Sequence, residues 1–161
     1  MKHTLLLIVL LTNILLAFDV NDLKKVKEGE DCIMCDLSDA DLSGMDLSMT
    51  DLSDSDLTHA NLSQVNAHKS DFSHCDLSHT TFERANLKGA KFVHAILKHV
   101  NFYEARIWKG DFSYAKIDHC NFNESALGSA IFNKNDLTNS TFKGAILYKT
   151  LFNENVIGVP Q

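Results

Sequence analysis

Two groups of residues in this 161-residue chain have the types and spacing to do chemistry. Four histidines stand at 59, 79, 99 and 119, each 20 residues from the last, and His74 and His94 repeat that spacing. Imidazoles gathered in this way are transition-metal ligands and proton acceptors near neutral pH. The second group is Cys32-Ile33-Met34-Cys35, a spacing shared by redox pairs and metal sites. Beyond these, the sequence has no nucleophile elbow, phosphate loop or HExxH, so no enzyme is expected. The net charge of −6 argues against nucleic acid as a partner, because phosphate contacts need a Lys/Arg excess.

A spacing of 20 matters only if the chain returns to the same place every 20 residues. From Leu37 to Ile157 an apolar residue recurs at every fifth position, 25 times in all, always Leu, Phe, Ile or Ala. Two residues before each such centre stands a small residue in 22 of 25 repeats, the exceptions being Met45, Asn135 and Asn155. The residue just before the centre is Asp or Asn in 14 of 25 repeats, including all nine from Asp36 to Asp76. On an α-helix such centres would scatter around the axis, and on a strand they would alternate between faces. They share one interior only if every five residues turn a corner. The chain is therefore a solenoid.

The number of corners per coil follows from phenylalanine, which occupies alternate centres from Phe72 to Phe152, ten residues apart. Three pentapeptides per coil would alternate Phe with Leu up every column, and two would leave no interior. Four give opposed Phe columns and opposed Leu/Ile columns, with stacked rings holding the register. Twenty-five repeats then make about six coils, roughly 4.8 Å apart. On this geometry His59, His79, His99 and His119 form one outer column, with His74 and His94 in a second. Two imidazole nitrogens on one zinc sit roughly 3.4 Å apart, so tilted neighbouring rungs would reach a weakly held Zn or Cu. The alternative is an exposed column copied by repeat duplication.

The pattern resembles the pentapeptide repeat family, whose consensus A(D/N)LXX is carried by DADLS (39–43), HANLS (59–63), RANLK (84–88) and GAKFV (89–93). The resemblance covers about 125 residues. It implies an all-β solenoid, a right-handed quadrilateral β-helix, matching the four-sided coil inferred from Phe. Exported members carry a leader, a short helix and CxxC before the repeats, which implies a disulfide between Cys32 and Cys35. Inert thiols and redox or metal chemistry are the alternatives for that pair. Some members mimic DNA and bind gyrase. Here that role is disfavoured, because a leader directs export and only part of the chain is acidic.

Three segments are expected. Residues 1–17, with one Lys and an apolar run from Leu5 to Leu16, are too short for a membrane span and read as a signal peptide cut after Ala17. Residues 18–31 break the repeat and read as a cap, with a short helix started by Asp19 or Asn21 and ended at Gly29. Residues 32–161 form the coil. Charge is polarised: residues 28–76 hold 12 Asp/Glu against Lys69, whereas residues 77–161 hold 10 Lys/Arg against 7 Asp/Glu. Trp108 and Tyr148 share a column with Lys88 and Gly128. The expected function is an exported, periplasmic or extracellular, non-catalytic structural or protein-interaction module without a required cofactor. Its expected partners are another protein, or a second copy through the uncapped C-terminal coil, and not the membrane once the leader is cut.

Overall fold

The computed structural model describes residues 18–153 and 155–160. The leader expected over residues 1–17 lies outside the described residues. Parallel bridges join residues before the centres to their equivalents 20 positions on, from Asp36 to Asp56, Asp41 to Asn61, Asp46 to Asn66 and Asp51 to Asp71 onward along most of the rod. One coil is thus four pentapeptides, and the fold is a right-handed quadrilateral β-helix. We number its sides by their centres: the first runs from Leu37 to Leu137, the second from Leu42 to Phe142, the third from Leu47 to Leu147, the fourth from Leu52 to Phe152.

Most corners are β-turns, the corners after Leu97, Ile117 and Phe132 being open bends. The N–H three residues after a centre returns to the centre's carbonyl, as from Ala40 to Leu37 at 3.1 Å and from Ala85 to Phe82 at 3.0 Å. The residue two after the centre takes a positive φ at all of these corners but that of Asn139, between 51° and 63° at non-glycine positions. That is the third position of a type II turn. The Asp before the centre holds the corner from outside: Asp41, Asp46 and Asp71 accept from the backbone N–H of Ser43, Ser48 and Ser73 at 3.0–3.1 Å. Short polar side chains do this better than long ones, which explains the DLS runs of the first coils.

The core is filled from side to side. The centres from Leu37 to Phe132 are 0% exposed except Ile117, at 6%. Phe rings stack along each column, as Phe92 on Phe112 at 4.9 Å and 5°, and meet edge to face across the lumen, as Phe92 with Phe102 at 5.7 Å and 84°. The small slot two before a centre has a polar use as well. Cys75 Sγ, Thr80 Oγ1 and Cys120 Sγ donate to the carbonyls of Leu52, Leu57 and Leu97 at 2.9, 2.7 and 3.2 Å, each 23 residues back. Asn135, an exception to the small rule, donates to Phe112 and Ala115 carbonyls but leaves its buried Oδ1 unpartnered. The Leu column passes Ala67 without a bend, since Asn66 bridges regularly to Asp46 and Asn86.

Most rungs pair through a single residue. At Leu97 and Ile117 the pairing widens into strands β1 (Ile96–Lys98) and β2 (Lys116–Asp118), in parallel register. Near the C-terminus β3 (Ile131–Phe132) pairs with β4 (Leu151–Phe152). One expectation is corrected beyond β4. Ile157 is no centre: it bridges Asp136, 21 residues back, and is 60% exposed, whereas Val156 packs on the core. Asn155, too large for the small slot, takes the positive-φ corner at 61° one residue late. Asn tolerates that conformation.

The first coil is covered by helix α1 (Val20–Lys27). Asp19 caps it, accepting from Asn21 N–H at 2.7 Å, and Gly29 ends it at φ 77°. Val26 is buried, with Phe18 and Leu23 packed beside it. Carboxylates supply the acceptors a preceding coil would have offered. Asp51 N–H donates to Asp31 Oδ1 at 2.8 Å and Asp36 N–H to Asp22 Oδ2 at 3.1 Å.

Candidate functional site: imidazole ladders on two corners

The corner after the first side carries His59, His79, His99 and His119. Their rings stack at 4.7, 4.9 and 4.9 Å with interplanar angles of 2°, 14° and 28°. The corner before that side carries His74, His94 and Tyr114, stacked at 5.0 and 4.9 Å, with Lys134 Nζ 5.3 Å from the tyrosine ring centre. The first side is therefore edged by two aromatic ladders. Each ring stands at a positive-φ residue (His59 60°, His74 63°, His79 63°, His94 60°), a conformation in which His is enriched over most side chains. The fold brings all four predicted column histidines together.

The geometry sets what the ladders can do. Imidazole lone pairs lie in the ring plane, so near-parallel rings aim their nitrogens side by side. A centroid spacing of 4.7–4.9 Å is wider than the roughly 3.4 Å between two nitrogens on one zinc. Holding a metal therefore requires neighbouring rings to rotate out of the stack. Protonation needs no rearrangement, and stacked imidazolium charges repel one another. His119 differs from the rest: its Nδ1 lies 2.8 Å from Asp118 Oδ1. A hydrogen bond from Asn139, aided by His119, holds the Asp118 carboxyl below its usual value.

Cys32 and Cys35 lie at the junction of cap and coil, joined by a disulfide with an S–S distance of 2.09 Å, and they are 1% and 3% exposed. Asp22 stands beside them, with its carboxylate within 4.8 Å of both sulfurs. Sequence reasoning missed it, since nothing in the spacing links Asp22 to a CxxC ten residues on. Bonded sulfurs are not thiolates and cannot ligate a metal. Asp22 is further engaged by Lys25 at 2.7 Å, whose hydrogen bond is the main cause of its lowered carboxyl pKa. Cys75 and Cys120 are buried, and desolvation pushes both thiols up to about 12. They are inert packing residues with a weak donor.

The opposite, third side bears the aromatic column noted in the sequence. Trp108 is 36% and Tyr148 60% exposed. A Cβ added at Gly128 would overlap three adjacent carbons of the Trp108 ring, nearly equidistant, so the indole lies face down over Gly128.

Comparison with known proteins agrees with this architecture. The family model for pentapeptide repeats matches residues 35–73, 70–108 and 111–153, in eight copies. A pentapeptide repeat protein from the cyanobacterium Cyanothece 51142 is 22% identical, with a TM-score of 0.50 over 85% of this chain and 97% of its own. A second, from Nostoc PCC 7120, is 25% identical with a TM-score of 0.49, covering 80% and 94%. A third, from the Arabidopsis thaliana thylakoid lumen, is 27% identical with a TM-score of 0.42, covering 86% and 72%. No match is found among curated proteins. With the repeat matched over most of its length and the four-sided coil in place, the chain belongs to the pentapeptide repeat family.

Proposed function

We propose that the protein is an exported, non-catalytic structural or interaction module that works from the outside of a solid rod. One observation carries this reading: the apolar centres fill the coil from side to side, and among the described residues every His, Asp, Glu, Lys and Arg stands outside that core. A flat rod recognises partners through repeated surface residues, and it offers no enclosed site for a perturbed acid or base. The apolar leader supports export, and a disulfide at the cap is the form such a pair takes in an oxidising compartment. A phosphatase reporter fused after Gln161 should be active outside the cytoplasm, with a mature chain beginning at Phe18 by intact mass. A reporter confined to the cytoplasm rejects export. Turnover in a broad hydrolase and oxidoreductase screen rejects the non-catalytic assignment.

A second reading has its own observation, the six stacked imidazoles on neighbouring corners. They make the first side a metal- or proton-responsive surface. Calorimetric titration with Zn²⁺ and Cu²⁺ at pH 7.5 and 5.5 tests it. Binding that weakens at pH 5.5 and vanishes in the His79→Asn/His99→Asn double variant supports the reading. Binding unchanged in that variant rejects it.

A further inference from the structure

The third side combines features that neither the histidine ladders nor the cap explains. Its register is fixed by ladder bonds: Gly89 N–H to Trp108 O at 2.8 Å, Lys109 N–H to Gly128 O at 2.9 Å and Ser129 N–H to Tyr148 O at 2.9 Å. Lys88, Trp108, Gly128 and Tyr148 therefore form one column. Arg106, Ala126 and Ile146 form the neighbouring one through the Arg106–Ala126 and Ala126–Ile146 bridges. Trp108 presses one ring face onto Gly128 and turns the other outward. Next along the rod, Ile146 and Tyr148 are 52% and 60% exposed. The result is an apolar, aromatic strip on a flat wall.

Cations border that strip. Lys88 and Arg106 lie on its N-terminal side, with Lys109 and Lys149 along one edge. Among the described residues none of the four joins an ion pair. Lys149 Nζ lies 5.2 Å from the Tyr148 ring centre. On the other edge Glu104 accepts from Arg84 Nε at 2.7 Å, and the Glu124 carboxyl lies over Gly144, one coil away from Trp108's own. Free positive charge beside an open indole is unexpected in a chain of net charge −6.

We propose that this side binds an acidic polysaccharide. One sugar ring stacks its C–H face on the open face of Trp108, and neighbouring carboxylates or sulfates reach Lys88, Arg106 and Lys109. A polysaccharide fits better than a nucleic acid. Each of its rings carries an apolar C–H face with an acidic group at the rim, matching the strip from Trp108 to Tyr148 and the cations at its margins. A nucleic acid keeps its phosphates on a backbone set apart from the stacking bases. The inference goes beyond the interaction role proposed above and does not depend on export.

Trp108 is the sole tryptophan, so its fluorescence reports the site directly. The full chain is titrated with polygalacturonate, with heparin, with fully methyl-esterified polygalacturonan and with a single-stranded thymidine oligomer. The expected result is a saturable change with an acidic polysaccharide, weakened by salt and absent with the neutral ester. Lys88→Gln/Arg106→Gln should lower the affinity at least tenfold. Trp108→Ala should do so by about tenfold, read by affinity electrophoresis after circular dichroism confirms the fold. The proposal is overturned by no response to either acidic polymer, by an equal response to the ester, or by unchanged affinity in the double variant. Tighter binding of the oligomer reassigns the side to nucleic acid. A signal that follows protein concentration without polysaccharide reassigns it to a second copy.

Discussion

The histidine columns have a backbone reason before any functional one. Their positions demand a positive φ, which costs ordinary side chains roughly 1–2 kcal/mol and suits Asn, Asp and His. Replacing His79 and His99 by Asn should therefore leave urea unfolding nearly unchanged, whereas His79→Val should destabilise by about 1–2 kcal/mol, because a β-branched residue fits that region worst. Equal losses in both variants would show that the stacked rings, not the backbone, are the determinant. Thiol chemistry separates the four cysteines at the same scale. With their pKa values near 12, Cys75 and Cys120 should resist Ellman's reagent at pH 8 in the native state. After unfolding without reductant two thiols should react, and a count of four would mean that Cys32 and Cys35 are reduced. The corner carboxylates give a pH dependence. Hydrogen bonds from Ser43, Ser48 and Thr138 hold Asp41, Asp46 and Asp136 below 3.8. A depressed folded value means that their stabilisation is present above about pH 4 and lost as pH falls through the folded values. In Asn variants of these positions the acid-induced fall in melting temperature should be shallower.

Helix α1 and the disulfide both close the first coil, by different physics. A disulfide spanning three residues closes a very short loop, so it removes little entropy from the unfolded chain. The helix covers the open ends of the first columns, with Val26 buried and Asp22 accepting from Asp36 N–H. Cys32→Ser/Cys35→Ser should therefore lower the melting temperature slightly. Deleting residues 18–29 should lower it much more and promote aggregation through the bare coil edge. Similar losses from the two changes would mean that the disulfide positions the helix. The interior is less forgiving: Phe102→Ala removes a ring stacked on Phe82 and Phe122 and should cost about 3–5 kcal/mol. Most of this architecture was legible in the sequence because every repeat votes for it, and Phe at intervals of ten settles the number of sides. What could not be read hangs on single residues. Asp22 meets Cys32 and Cys35 only through the docking angle of α1. The slip at Asn155 depends on a polar residue too large for the small slot, and the widening at Leu97 and Ile117 has no counterpart in residue type. The His columns were placed correctly, but their ring planes, which decide whether nitrogens converge, belong to packing.

At the scale of the rod, each coil touches only its neighbours, so stability is close to a sum of coil and interface contributions. Register is periodic in 20, while the sequence is periodic in five. These two periods predict opposite outcomes for deletions of different length. Removing residues 81–100 takes out one full turn: Thr80 then precedes Asn101, Phe102 stacks over Leu62, and every later residue keeps its column. Such a protein should remain cooperatively folded, with parallel-β circular dichroism and a modest loss in melting temperature. Removing only residues 81–85 deletes a quarter as much chain but moves everything after it by one side. Leu87 then enters the column of Leu42 and Leu62, Phe92 enters the column of Leu47 and Ala67, and the His99–His119 pair leaves the corner of His59 and His79. The rings from Phe92 to Phe152 would part from Phe72, and those from Phe102 to Phe142 would stack on Leu77 and Leu57, with rings where Leu and Ala had set the width. The shorter deletion should therefore be the more damaging, measured as lost cooperativity and dye-accessible apolar surface. If the five-residue deletion proved as stable as the 20-residue one, like-on-like stacking would not be what sets the register, and the aromatic strip and imidazole ladders would lose the frame that aligns them.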